Sequence, residues 1–140
     1  MKILLPVDGS AHTKRMLAYI AAHDELLGPG HEYTLFTAVI PVPAYAATFL
    51  QRKTLDDYAN EQANEVFQPI RAFVDQQGWK VRLAQVTGHA PDAIAAEATA
   101  GKYDLIVMGT HGHSAVGNVV LGSVAVGVLA QCKAPVLLIR

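Results

Sequence analysis

Asp104-Leu-Ile-Val-Met-Gly-Thr-His-Gly-His-Ser-Ala-Val-Gly-Asn-Val-Val-Leu-Gly-Ser-Val124 is the run whose reading decides the fold. Leu105 to Met108 is uninterrupted apolar sequence, the mark of a strand buried on both faces. Gly109 ends it, and a loop with a second glycine, Gly112, follows. Gly122-Ser123 then opens an Ala/Val/Leu-rich helix to Gln131. Strand, glycine loop and helix start together make an anion cradle. Glycine lets the backbone approach a phosphate, and the free N–H groups of a helix N-terminus point at it.

Outward from that run, the chain alternates strands and helices. Lys2–Val7 reads as a strand, Asp8-Gly9-Ser10 as a turn with Ser10 as N-cap, and 11–23 as a helix burying Leu17, Ile20 and Ala21. Glu32–Ile40 is a second strand. The connection 41–50 is too apolar for a solvated loop and reads as a flap or an interface. A long helix over 54–77 shows Leu55, Ala59, Gln62, Val66, Ile70 and Phe73 on one face, and Pro69 predicts a kink or two successive helices. Gly78 is a C′ residue. Trp79–Thr87 alternates like an edge strand, Pro91 opens a helix to Thr99, and Val136–Ile139 is a final apolar strand.

Strands separated by helices require right-handed crossovers and a parallel sheet. The expected fold is a doubly wound, Rossmann-like α/β domain over residues 1–140, with five strands in the order 3-2-1-4-5 and helices on both faces. Ligands in such sheets lie beyond the carboxyl ends of the strands, where the order reverses. That places Asp8-Gly9-Ser10 opposite Gly109-Thr-His-Gly112.

Composition excludes several classes. With 51% hydrophobic and 16% charged residues the chain folds and is not disordered. A formal charge of -1 without a basic stripe argues against nucleic acid. No run approaches a membrane span, and the N-terminal apolar run is too short for a signal peptide. The single cysteine, Cys132, allows no internal disulfide and suits a reducing cytoplasm. His111 and His113 lack an obvious third metal ligand, so no metal site is expected of them. His12, His23, His31 and His89 read as surface positions, and Gly127 as a close-packing residue.

The separated motifs resemble the universal stress protein family over the whole chain. They are Pro6-Val-Asp-Gly-Ser10, Asp104 to Gly112, Gly109-x2-Gly112-x9-Gly122-Ser123, and Ala134-Pro-Val-Leu-Leu-Ile-Arg140. The glycine pattern looks like the ATP-binding branch. The resemblance implies the same strand order, a homodimer through Val136–Ile139, and binding of ATP, or of AMP or ADP, with Mg²⁺. It implies that Asp8 and Val39 contact the adenine or its surroundings, that Met108 and Gly109 lie beside the ribose, and that Gly112, Gly122, Ser123 and Val124 hold the phosphates. Pro6, Val7, Ser10, His111 and His113 are further candidates for the same nucleotide site. Many motif-bearing members carry Arg or Lys where this chain has His113, and Gly117 and Asn118 stand where bulkier or basic residues are common. Little fixed positive charge therefore faces a triphosphate.

The expected function is that of a cytoplasmic stress-response protein, an adenine-nucleotide sensor or regulator acting on a protein partner. No committed general base, P-loop lysine or arginine finger appears, so hydrolysis would be slow at most. The alternatives are a dimeric interaction module with a decayed site and an adenine-nucleotide hydrolase or transferase.

Overall fold

The computed structural model describes residues 1–113 and 120–140. Gly117 and Asn118 lie outside the described residues. Along the chain run β1 (Lys2–Pro6), α1 (Ala11–Ala22), α2 (Asp24–Leu27), β2 (Glu32–Val39), α3 (Ala44–Ala47), α4 (Arg52–Gln76), β3 (Lys80–Thr87), α5 (Ala90–Ala100), β4 (Leu105–Gly109), α6 (Ser123–Gln131) and β5 (Val136–Ile139). The five strands form one parallel sheet in the order β3-β2-β1-β4-β5, as the alternation of elements implied.

The two-residue period of a strand divides the core into two layers. Ile3 and Leu5 of β1, with Val107 of β4, point into one layer, against Met16 and Ile20 of α1 and Phe67 and Ile70 of α4. Leu4, Ile106 and Met108 point into the other, with Ile94 of α5 and Val128 of α6. Burial on both faces explains why β1 and β4 read as unbroken apolar runs. β3 lies at the edge and alternates between exposed and half-buried positions.

Some local expectations change. The short helices α2 and α3 were not foreseen; the 41–50 connection contains one of them. α4 runs unbroken from Arg52 to Gln76 with Pro69 inside it, so two successive helices do not form. Pro69 is exposed, which leaves the carbonyl it fails to engage able to meet water. The buried stripe of α4 is Ala63, Phe67, Ile70 and Val74; of the expected face, Ile70 is buried and Ala59, Val66 and Phe73 pack partly buried against the core, whereas Leu55 and Gln62 are only half-buried. The first turns of α4 are largely exposed, so its second half sets which face is buried. α1 buries Thr13 and Met16 beside Leu17 and Ile20, with Ala21 only partly covered.

Candidate functional site

β1 ends at Pro6, and the chain must turn at once into α1. Gly9 makes that turn at φ 76°, a left-handed conformation that L side chains rarely adopt. Ser10 caps α1: its hydroxyl oxygen accepts from the Thr13 N–H over 3.3 Å. Asp8 binds the turn together. Its Oδ1 accepts from Ser10 N and from Thr13 Oγ1, each at 2.9 Å, and its own N–H donates to Thr13 Oγ1 at 3.2 Å.

β4 ends beside it, at Gly109. Thr110, buried, is fixed on both sides of its peptide unit. Its N–H donates to Ile139 O at 2.9 Å, and its carbonyl accepts from Gly122 N at 2.7 Å. The second bond closes the loop from 110 to 122 and sets Gly122 as the N-cap of α6. Among the described residues no side chain caps that helix, whose first N–H groups have no partner within the helix itself. A Cβ on Gly122 would lie 3.0 Å from Thr110 O, one on Gly109 2.9 Å from His12 Cβ, and one on Gly112 2.5 Å from Asp8 Oδ2. Gly112 thus meets the Asp8 turn, Gly109 meets α1, and Gly122 packs on its own loop.

The turns touch directly. The His113 N–H donates to Asp8 Oδ2 at 3.2 Å, and His113 Nε2 donates to the Asp8 carbonyl at 2.6 Å. Burial raises the Asp8 carboxyl pKa. The Ser10 and Thr13 hydrogen bonds and the charge of His113 outweigh that, and the net position is below the ordinary 3.8.

A cavity of 520 Å³ opens over the carboxyl ends of β1, β2 and β4, in the size range of small-ligand sites. It is lined by Asp8, Gly109, Gly112, His113, Gly122 and Ser123 and by the apolar Phe36, Ala38, Ile40, Ala90 and Ile94. Pro6, Val7, Met108, His111 and Val124 also line it. The structure thus brings together every candidate residue except two. Ser10 is buried as a cap, and Val39 points into the core on the α1 and α4 side, with its carbonyl accepting from Gly88 N. Strand parity explains Val39: Ala38 and Ile40, one position to either side, line the cavity instead. Thr13, Thr37 and Thr110 also reach the cavity and were not foreseen; nothing in their local sequence marks them.

No lysine or arginine lines the cavity among the described residues. Lys14 and Arg15 of α1 are exposed outside it. No group of three or more His, Cys, Asp or Glu side chains among the described residues is arranged for a metal ion. His12, expected at the surface, is half-buried: its ring lies 5.3 Å from that of His111, and its Nδ1 is buried. His23 and His31 are also half-buried, whereas His89 is exposed. No described helix is long and apolar enough to cross a membrane.

A doubly wound sheet with a glycine-lined cradle at its switch point defines a class of small α/β domains suited to a phosphate-bearing ligand. Within it, residues 1–140 match the Universal stress protein family, and the chain belongs to that family. A universal stress protein from Thermus aquaticus is 37% identical over 138 residues, covering 99% of this chain and 97% of the relative. The solved structure of MJ0577 from Methanocaldococcus jannaschii has a TM-score of 0.81 at 27% identity, covering 99% of this chain and 94% of that one. A family structure from Arabidopsis thaliana with AMP bound has a TM-score of 0.68 at 16% identity, covering 99% and 90%, and shares the fold.

Proposed function

We propose that the protein binds an adenine nucleotide in the 520 Å³ cavity and works as a regulatory or sensory dimer. The observation that carries this reading is the start of α6 at Gly122, closed onto Thr110, without a side-chain cap among the described residues, and lining one cavity with Ala38, Ile40 and Ile94. A helix start favours negative charge by about 0.3–1 kcal/mol when exposed. The N–H groups of Ser123 and Val124, with the backbone at Gly112, take the phosphates. Met108 and Gly109 flank the ribose, and Ala38, Ile40 and Ile94 cover the base. The AMP found on the Arabidopsis relative supports an adenine ligand. ATP, ADP and AMP are all candidates. Mg²⁺ rides chiefly on the phosphates, with at most one protein carboxylate, Asp8, within the cradle.

The dimer forms through Val136–Ile139. The β3 edge of the sheet carries the exposed charges Lys80 and Arg82, which blunt pairing; the β5 edge carries none along its strand. The location is cytoplasmic, and any hydrolysis is slow. The lack of a cationic lining favours one competing reading, an interaction module that binds no nucleotide. Denaturing the protein as isolated and weighing the released small molecules tests the proposal, together with melting in millimolar AMP, ADP and ATP. Released adenine nucleotide or a ligand-dependent rise in Tm is expected. Neither being seen leaves the interaction module.

A further inference from the structure

The reading above assigns the phosphates to backbone N–H groups. It leaves open how the site distinguishes one phosphate from three. Fixed charge does not do it. Asp8 is the one acidic lining residue among the described residues, and no lysine or arginine lines the cavity. The six residues from 114 to 119, Ser-Ala-Val-Gly-Asn-Val, contain no cation in any conformation.

His113 lines the cavity and is exposed, and its ring is held. The acceptor on Nε2 is a backbone carbonyl, Asp8 O, at 2.6 Å. A carbonyl accepts only, so Nε2 must carry the hydrogen. In the neutral ring Nδ1 is then a lone-pair acceptor, which repels phosphate oxygen. Protonation reverses this: Nδ1 becomes a donor, the ring gains a charge, and the bond to Asp8 O is kept. The backbone bond from His113 N to Asp8 Oδ2 fixes the loop in either state. Among the described residues, Asp8 of the β1 turn contacts His113 directly, and His111 of the same loop and Ser123 at the start of α6 line the same cavity. The His12 ring of α1 lies 5.3 Å from that of His111.

We propose that His113 is a proton-gated phosphate contact: held by the Asp8 carbonyl, it donates to the outer phosphates of a bound nucleotide only when protonated, so affinity for polyphosphates rises as pH falls. The inference rests on the nucleotide reading. It makes His113 a specificity-determining residue, neutral toward the nucleoside and selective for phosphate charge.

Adenosine, AMP and ATP are titrated by calorimetry from pH 8 to pH 5.5 against the wild type, His113→Gln and His113→Arg, with circular dichroism to check each fold. ATP affinity of the wild type is expected to rise about fivefold to tenfold across that range, the scale of an exposed charge-assisted hydrogen bond. Adenosine affinity stays level. His113→Gln removes the rise, and His113→Arg binds ATP tightly at both ends. ATP loses negative charge in acid, which acts in the opposite direction, and comparison with His113→Gln at each pH cancels it. A level ATP profile in the wild type, or the same rise in His113→Gln, overturns the proton gate while leaving nucleotide binding intact. Absence of binding by all three ligands at every pH, to wild type and His113→Arg alike, overturns the nucleotide reading and the gate with it.

Discussion

Asp8 and His113, 105 residues apart, are joined twice: amide to carboxylate at 3.2 Å and imidazole to carbonyl at 2.6 Å. Asp8 is thereby a clasp. Its carboxylate already serves Ser10, Thr13 and His113, so it organises the site more than it offers itself to a ligand. Replacing it by alanine leaves those donors without their acceptor. Asp8→Ala is expected to destabilise the fold by about 1–3 kcal/mol and to weaken nucleotide binding, read by denaturant melts and titration.

The same carboxylate gives a signed pH dependence. Its folded pKa is lowered, so the stability it contributes is complete above the ordinary 3.8 and is lost as pH falls through the folded value. The stability gap between wild type and Asp8→Asn should therefore be level near neutrality and narrow in acid below about pH 4. Urea melts from pH 7 to pH 3 measure it. A gap that widens in acid contradicts the assignment.

Gly122 and Gly127 separate binding from packing. A Cβ at Gly122 would lie 3.0 Å from Thr110 O and beside the cradle, whereas one at Gly127 would meet Pro91 Cβ at 2.5 Å, where α6 crosses α5. Gly122→Val should abolish nucleotide binding with the circular dichroism spectrum retained. Gly127→Val should lower stability by about 1–3 kcal/mol, the usual effect of overpacking, with binding changed only as far as folding is. Reversed outcomes would move the cradle off α6.

Much of this was legible in the chain. A parallel sheet followed from the apolar runs at 2–7 and 104–108 and from the helices between the strands, and the order 3-2-1-4-5 agreed with the family resemblance. The two opposed turns followed from that order. What was not legible depended on parity and partners. Val39 was placed at the base by its match to the family motif, but alternate residues face opposite layers, and Ala38 and Ile40 line the cavity instead. The α4 stripe was drawn in part: Ile70 is buried and Ala59, Val66 and Phe73 flank the core, while Ala63, Phe67 and Val74, one position away, carry the rest of the burial. His12 looks polar and superficial in sequence; only the close approach of Gly109 brings it under the loop. The His113 clasp spans most of the chain, and no local pattern encodes it.

The exposed 41–50 segment bears on stability in an unusual way. Phe49 is 90% exposed and Tyr45 77% exposed, so neither contributes core burial. Phe49→Ser is expected to change stability by less than about 0.5 kcal/mol, the range of surface substitutions, despite removing an aromatic ring. A loss above about 2 kcal/mol by denaturant melt would show that the segment is covered in solution.

The free edge of β5 makes the last prediction. Val136, Leu137 and Leu138 are half-buried, and no charge interrupts the strand before Arg140. An apolar edge with unpaired N–H and C=O groups invites a second copy, and a lysine on such an edge opposes pairing. Light scattering on the wild type should give twice the chain mass of 15.0 kDa. Leu137→Lys should shift the population toward the single-chain mass while circular dichroism keeps the α/β spectrum. Leu137 also packs against the core, so Leu137→Thr, which keeps β-propensity without charge, serves as the control and should remain largely paired. A wild type that runs at 15.0 kDa at all concentrations removes the edge as an interface. A dimer untouched by Leu137→Lys moves the interface elsewhere, with the apolar 41–50 segment the next surface to substitute.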